Sequence, residues 1–218
     1  MITHHFPEDI LLDYAAGSLP EAQSLMVASH ISMCGTCLDD VGLLEAVGGS
    51  LLDDGAQEDP TAHAFDALLS RIDASDETPA LTSGDRFNSE TCRIIPPPLR
   101  DYLDANLESL AWRFAGPGMR EAVLVRDDMT RISLYRIRPG GKVPTHTHRG
   151  QEYTLILNGA YKDGDILFGK GDVSIADDTV DHAPVAEDHD YCLCLTLFTG
   201  PVRLTGPLGR VFNPLLRS

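Results

Sequence analysis

The spacing of the apolar residues changes once along the chain, and this change limits the possible folds more than any other feature of the sequence. Up to about residue 75, apolar residues recur at intervals of three and four, as on one face of a helix. Beyond residue 98 they alternate with other residues, as in half-buried strands. A segment rich in Ser, Thr and Gly that ends in a proline run separates the two patterns. The sequence therefore predicts a helical domain at 1–75, an extended linker at 76–98 and a β domain at 99–218.

Four helices are expected in the first domain. The first begins near residue 7 and ends before Gly17, and the second follows Pro20. A third runs from Cys37 to about Leu52, and a fourth follows Pro60. The apolar residues expected to face the core are Ile10, Leu11, Tyr14, Ala15, Leu25, Met26, Ala28, Ile31, Leu38, Val41, Leu44, Val47, Phe65, Leu68, Leu69 and Ile72. The expected fold of this domain is a small helical bundle.

Many short strands are expected in the second domain. Alternation is clear in Tyr153, Leu155 and Leu157, and again in residues 192–197. Turns rich in Gly, Pro, Asn and Asp recur between the strands, at residues 138–141, 158–159, 162–164 and 169–172. This pattern favours an antiparallel sandwich or barrel. The predicted fold class is therefore multidomain α plus β.

The charge of the chain is concentrated at one end. The formal net charge is −16, and residues 1–85 contain 16 acidic residues against one basic residue, Arg71. Nucleic-acid binding needs clustered cations, so no direct DNA binding is expected. An acidic domain attracts a basic partner, although an acidic surface that only favours solubility would have the same composition.

The cysteines and the chain termini indicate the expected compartment. Five cysteines, an odd number, argue against a disulfide framework. No apolar run approaches the roughly 20 residues that a membrane helix needs. The N-terminus lacks the basic start and the apolar region of a secretory signal. We therefore expect a cytoplasmic protein without a membrane span.

A possible zinc site lies at the end of the second predicted helix, in the pattern H-x-x-x-C-x-x-C. His30 and Cys34 are one helical turn apart, and Cys37 can reach the same point from the following turn. Two thiolates and one imidazole are three of the four ligands of a structural zinc site. His5 is the best candidate for the fourth, because antiparallel pairing of the first two helices would bring residues 5 and 30 together. The alternatives for this ligand are His4 and His63. In the competing interpretation the cysteines are buried apolar residues or a redox pair.

A second possible metal site lies in the predicted β domain, in the pattern H-x-H-x-x-x-E. His146 and His148 point the same way on a strand, and Glu152 can follow on the next strand. His182, between later strands, can complete the set. Three imidazoles and a carboxylate suit zinc, manganese, iron, nickel or copper, so the identity of the metal stays open. The competing interpretation is two exposed loop histidines beside an unrelated glutamate.

Glycines around the second set of ligands extend the pattern. The first cupin motif is matched at every position by Gly140-(x5)-His146-x-His148-(x3)-Glu152-(x6)-Gly159. The second cupin motif is degenerate: Gly164, Gly171 and His182 fit it, but its usual proline is absent and its histidine is displaced from the glycine. The β domain thus resembles a cupin, which implies a cupin-like antiparallel β-barrel.

The order of the two sets of ligands resembles the ChrR family of zinc-dependent anti-sigma factors, in which an H-x-x-x-C-x-x-C helical domain precedes a cupin. The resemblance covers essentially the whole chain and includes residues 14–17 and 46–51. It implies a structural zinc in the helical domain, and zinc or another divalent transition metal in the cupin. The implied ligands are His5, His30, Cys34 and Cys37 for the first metal, and His146, His148, Glu152 and His182 for the second.

The resemblance also implies a function. The helical domain would bind an extracytoplasmic-function sigma factor in the cytoplasm and cover the surfaces that contact RNA polymerase and promoter DNA. The cupin would be the sensor through which oxidative signals such as singlet oxygen, or a related small-molecule signal, release the sigma factor. The acidic charge of residues 1–85 agrees, because the DNA-contacting surfaces of a sigma factor are basic. Thiolate oxidation at Cys34 and Cys37, the cupin metal and regulated proteolysis all stay open as release mechanisms.

Two other functions match parts of the sequence. A cupin with three histidines and one glutamate could be an enzyme such as a dioxygenase, with Tyr135, Arg136 and Tyr153 lining its pocket, although a non-enzymatic regulator is the expectation. A sensor of metals or small ligands with a different partner is the other alternative. Cys192 and Cys194 alternate in an apolar strand, so we interpret them as packing residues.

Overall fold

Helices occupy the first half of the protein and strands the second. The computed structural model describes residues 1–55, 61, 63–74, 86–127 and 130–206. An N-terminal arm, residues 1–7, precedes the first helix. The helices are α1 (Glu8–Ala15), α2 (Glu21–Ile31), α3 (Gly35–Asp53), α4 (Ala64–Asp73), α5 (Ser89–Ile94) and α6 (Pro97–Arg100), followed by a 3₁₀ helix at Leu107–Ser109. The strands are β1 (Arg113–Gly116), β2 (Met119–Arg126), β3 (Arg131–Ile137), β4 (His146–His148), β5 (Glu152–Asn158), β6 (Ala160–Asp163), β7 (Ile166–Gly169), β8 (Val173–Ala176), β9 (Val185–Ala186), β10 (Cys192–Phe198) and β11 (Val202–Leu204).

The strands pair antiparallel in three sheets. The largest has the order β1-β2-β3-β10-β5-β8, and the smaller sheets have the orders β7-β6-β9 and β11-β4. Every residue of β5 and β10 is buried, as their apolar sequences predict. These sheets, together with the preceding helices, confirm the predicted order of a helical part and an antiparallel β part. Within the described residues, no helix has both the length and the hydropathy to cross a membrane.

One hydrophobic core joins the helical part to the large sheet. Phe6, Leu11 and Met26 are buried in the same cluster as Leu155 and other residues of β5 and β10. The ring of Phe6 lies 6.2 Å from that of Tyr153, centroid to centroid, and α2 contacts both β5 and β10. Apolar burial of this kind stabilises the association of the two parts. The helical part therefore packs directly on the sheet.

The first two helices follow the predicted pattern. Gly17 has a φ of 68°, a left-handed conformation that favours glycine and suits the end of α1. Leu11 is the buried residue of α1, while α2 buries Leu25 and Met26 together with Val27. The apolar positions predicted for these helices thus include the residues that pack.

The faces predicted for α3 and α4 differ from the structure. Val41 is buried as expected, but Leu38 and Val47, which we expected to face the core, are 52% and 54% exposed. All four apolar residues predicted to face inward from α4 are exposed as well, namely Phe65, Leu68, Leu69 and Ile72. The buried residues of α3 are Cys37 and Val41, both in its first half, whereas Val47 lies in its second half. Periodicity identifies an apolar face but not what covers it.

The predicted linker, 76–98, contains helical segments where the structure describes it, from residue 86 onward. α5 lies within this segment and α6 begins at Pro97, while Ile94 and Ile95 are each 1% exposed. The expected extended conformation is therefore wrong for residues 89–94. Proline suits the first position of a helix, where its missing N–H has no intrahelical partner to lose. Residues 75–85 lie outside the described residues, and the domain boundaries stay a prediction.

Two candidate metal centres

Four side chains from three segments meet where the N-terminal arm passes the α2–α3 corner. His5 comes from the arm, His30 from the last turn of α2, Cys34 from the residue before α3 and Cys37 from its first turn. Their ligand atoms all lie within 4.8 Å of one another, and we call them the first cluster. Nδ1 of His5 is 3.3 Å from both sulfurs, and Nε2 of His30 is 3.3 Å from Sγ of Cys37.

The spacing of the first cluster fits a tetrahedral ion. With metal–sulfur distances of about 2.3 Å and metal–nitrogen distances of about 2.0–2.1 Å, neighbouring ligand atoms lie about 3.5 Å apart. The three nitrogen–sulfur distances of 3.3 Å are close to this value. Both cysteines and His30 are buried, as in closed structural sites. The donor set suits a structural zinc.

Burial favours the neutral forms of both His30 and Cys37 in the first cluster. Burial, with the neighbouring Cys34 as a further cause, raises the pKa of the Cys37 thiol to about 12. Burial lowers the pKa of His30, and its hydrogen bond to the Gly171 carbonyl offsets this only in part. His30 therefore presents the neutral imidazole that binds metals, and a cation would stabilise the Cys37 thiolate.

The two alternative histidines lie elsewhere. Nδ1 of His4 is 3.5 Å from a carboxylate oxygen of Asp172, and its ring packs on Phe168 with 4.5 Å between centroids. His63 precedes α4 and is exposed. The structure thus brings His5, and neither of the alternatives, to the cysteines.

The second cluster, His146, His148, Glu152 and His182, forms inside the β part. β4 has the sequence His-Thr-His, so both of its histidines face the same side. Glu152 begins β5, and His182 pairs with His146 in an isolated β-bridge. The four ligand atoms lie within 4.8 Å of one another. Nε2 of His182 is 3.2 Å from Nε2 of both other histidines, and Oε2 of Glu152 is 3.1 Å from Nε2 of His148.

Outer contacts orient two of these imidazoles. Nδ1 of His146 donates to the carbonyl of Pro144 at 2.8 Å, and Nδ1 of His182 donates to Oδ2 of Asp163 at 2.6 Å. Because these oxygens accept, the proton of each ring lies on Nδ1 and Nε2 is left for a metal. This arrangement is the usual outer shell of a histidine metal ligand.

Glu152 determines the electrostatics of the second cluster. Burial favours its neutral form, but the hydrogen bond and charges of the histidines outweigh burial and lower its pKa. Burial acts against the charged form of His146 too, yet Glu152 raises the pKa of His146 overall. The pKa of His148 is lowered, mainly by burial. A buried carboxylate among three imidazoles is a donor set for a divalent transition metal, which would act there as a Lewis acid or a structural ion.

Two outer contacts of the clusters were not predicted. Asp163 lies in a segment that the sequence identifies only as a turn, and nothing in it links position 163 with His182. The carbonyl oxygen of Gly171 accepts from Nδ1 of His30 at 2.9 Å. A backbone acceptor carries no residue-type signal, so sequence patterns could not have found it.

Other residues singled out in the sequence have packing roles. Cys192 and Cys194 are 0% and 4% exposed within an apolar cluster, in agreement with their interpretation as packing residues. The Arg136 guanidinium lies 4.2 Å from the ring centroid of Tyr191. The hydroxyl of Tyr153 accepts from Nε2 of Gln23 at 3.1 Å, at the contact with the helical part.

Known proteins resemble both parts of the chain. Residues 103–203 match the ChrR cupin-like domain family. The anti-sigma-E factor ChrR of Cereibacter sphaeroides is 38% identical over 216 residues, which are 99% of each chain. In the crystal structure of Rhodobacter sphaeroides SigE in complex with the anti-sigma ChrR, the matching chain is 38% identical with a TM-score of 0.77. That match covers 91% of this chain and 100% of the other.

These similarities extend through the helices and the sheets. They confirm the cupin-like fold predicted for the β part. They also confirm the expectation of a regulator rather than an enzyme, because the full-length relative is an anti-sigma factor. The chain therefore belongs to the ChrR family of anti-sigma factors.

Proposed function

We propose that this protein binds an extracytoplasmic-function sigma factor in the cytoplasm and keeps it from RNA polymerase and promoter DNA. Its ChrR relative was crystallised in complex with SigE. The observation that carries the proposal is a strongly acidic helical part that presents exposed apolar faces on two helices. Such a surface suits a partner that is both basic and partly apolar.

One apolar face lies on α3. Leu43, Val47 and Leu51 recur at intervals of four residues and therefore share a face of the helix, which we call the α3 stripe. Their exposed fractions are 68%, 54% and 71%. Contiguous apolar surface of this kind marks an interaction site on a soluble protein. The α3 stripe would be covered by the sigma factor.

The other apolar face lies on α4. None of its ten residues is buried, and Phe65, Leu68 and Leu69 are 68%, 53% and 42% exposed. A helix of this length is marginal by itself in water. It gains stability when its apolar face enters a groove of a partner. We therefore place α4 in the interface.

Acidic residues surround both faces. α3 and its C-terminal end contain five of them, and α4 adds two against one basic residue, Arg71. The acidic residues are Asp39, Asp40, Glu45, Asp53, Asp54, Asp66 and Asp73. Opposite charges accelerate association and exclude unsuitable partners. The acidic helices would thus compete with DNA for the basic surfaces of a sigma factor.

The two clusters would have different tasks. A zinc ion on the first cluster would tie the arm, α2 and α3 together and so fix the direction of the α3 stripe. A divalent metal on the second cluster would belong to the cupin as sensor domain. Oxidative signals such as singlet oxygen would act through this domain and release the sigma factor.

Hydrogen exchange on a purified complex tests the binding proposal. The full-length protein is co-expressed with an extracytoplasmic-function sigma factor of the same organism, and the complex is isolated by size exclusion. We expect slower amide exchange in α3 and α4 than in the free protein, and unchanged exchange in β7, whose Ile166 and Leu167 are exposed apolar residues of the cupin. Failure to form a complex, or protection confined to the cupin strands, would contradict the proposal.

A further inference from the structure

A turn of the cupin touches the first cluster. Residues 169–172 connect β7 to β8, and the carbonyl oxygen of Gly171 accepts the hydrogen of Nδ1 of His30 at 2.9 Å. His30 is fully buried, so water does not compete for this hydrogen bond. The contact fixes the ring so that Nε2 points to Cys37. The orientation of a ligand in the helical part is therefore set by the backbone of the cupin.

The same turn holds the arm that carries His5. Oδ1 of Asp172 accepts from the backbone N–H groups of Thr3 and His4, at 2.7 Å and 3.0 Å. The N–H of Val173 donates to the carbonyl of His4 at 3.1 Å. Asp172 is 4% exposed, and these charge-assisted bonds are stronger than neutral ones. His5 is thus positioned by its immediate neighbours in the arm, which the cupin holds.

The turn itself is fixed to β5. The N–H of Gly171 donates to the carbonyl of Ile156 at 2.8 Å, and the N–H of Ile156 donates to the carbonyl of Asp172 at 3.1 Å. Gly171 has a φ of 91°, and a Cβ at this position would collide with the side chain of Ile2. The backbone conformation therefore favours glycine, and any side chain at this position would displace the Ile2 side chain of the arm. β5 also begins with Glu152, so one strand supplies a ligand of the second cluster and holds the turn that contacts the first cluster.

We infer that the cupin turn 169–172 is the outer shell of the zinc site in the helical part, with Gly171 and Asp172 as positioning residues for His30 and His5. This inference rests on the zinc site of the proposed function. Loss of an outer-shell partner weakens metal binding by roughly 10- to 100-fold in characterised sites. The zinc affinity of the helical part therefore depends on the cupin, and movement of β5 would reach the zinc ligands through this turn.

The test replaces Asp172 by Asn in the full-length chain. The variant keeps the shape of the side chain but loses the negative charge that strengthens its hydrogen bonds to the arm. Metal-free wild-type and D172N proteins are titrated with Co²⁺ against a competing chelator, and the thiolate-to-cobalt absorption band is followed. Only the first cluster contains sulfur, so this band is separate from Co²⁺ bound at the second cluster. D177N is the matched control, because Asp177 also accepts hydrogen bonds in a cupin turn, from Thr179, and is exposed.

We expect D172N to bind Co²⁺ at the thiolates roughly tenfold or more weakly than wild type, and D177N to equal wild type. Equal affinities of D172N and wild type would overturn the inference while leaving the zinc site intact. A wild-type protein without any thiolate band would overturn both. Thr3→Pro gives a second route, since it removes one donor to Asp172 from the arm and leaves the cupin sequence unchanged. This variant should also bind Co²⁺ more weakly at the thiolates. An unchanged affinity would count against the inference.

Discussion

Truncation of the α3 stripe should weaken sigma-factor binding without destabilising the free protein. Leu43→Ala and Leu51→Ala each remove three carbons from side chains that are 68% and 71% exposed. Burial contributes about 0.8 kcal/mol per CH₂, so covering these exposed fractions in a complex contributes about 1.6 kcal/mol for each truncated leucine. The double variant should lose about 3 kcal/mol of binding free energy, or roughly 200-fold in Kd.

The same substitutions should leave the free energy of unfolding nearly unchanged, since exposed leucines contribute little to the core and alanine is a strong helix former. Fluorescence anisotropy with a labelled sigma factor measures Kd, and denaturant unfolding measures stability. Ile166→Ala with Leu167→Ala in β7 is the matched control, because these residues are 51% and 47% exposed but belong to the cupin. A Kd within twofold of wild type would refute the assigned interface. An equal loss of stability would show instead that the stripe packs within the chain.

Three further predictions concern the metals and the charges. Cys37→Ser should reduce bound zinc by one equivalent in elemental analysis and free the sigma factor, because Cys37 lies 3.3 Å from both histidines of the first cluster. Inhibition retained without zinc would contradict this prediction. His146→Ala or Glu152→Gln should leave sigma binding intact but abolish release by photosensitised singlet oxygen, and normal release would remove the cupin metal from the mechanism. Raising salt from about 0.1 M to about 0.5 M should weaken the complex, since exposed charges are screened; a Kd that is independent of salt would exclude a role for the acidic helices.

Both clusters were predictable because their ligands are close in sequence or occupy periodic positions. His30, Cys34 and Cys37 follow helical and turn spacing, so the sequence alone brings three ligand atoms together. His146 and His148 share a face of β4 for the equivalent reason in a strand. His5 required a topological assumption, the antiparallel pairing of the first two helices, and the structure brings it to the cysteines.

The covered and uncovered faces of the helices were less predictable. Val41 and Val47 belong to the same apolar pattern, yet one is 3% exposed and the other 54%. The difference depends on which part of α3 other elements cover, and periodicity along α3 does not encode this. A face intended for another protein has the same composition as a core face.

Contacts between distant segments could not be predicted. The two hydrogen bonds from the arm to Asp172 join residues that are 169 and 168 positions apart in the sequence. The contact between Gly171 and His30 uses a backbone atom of Gly171. The proline run was interpreted as a linker because prolines usually end helices, whereas Pro97 begins one. The burial of Ile94 and Ile95 in the core stabilises the helical conformation of this segment. Patterns in a single sequence do not report such packing.

Reconstituted transcription tests the central claim most directly. Core RNA polymerase and an extracytoplasmic-function sigma factor of the same organism transcribe from the cognate promoter while the zinc-loaded full-length protein is titrated in. Transcription should stop near one equivalent of protein per sigma factor and should persist with the metal-free protein. Continued transcription in excess zinc-loaded protein, or equal inhibition by the metal-free form, would contradict a zinc-dependent anti-sigma factor.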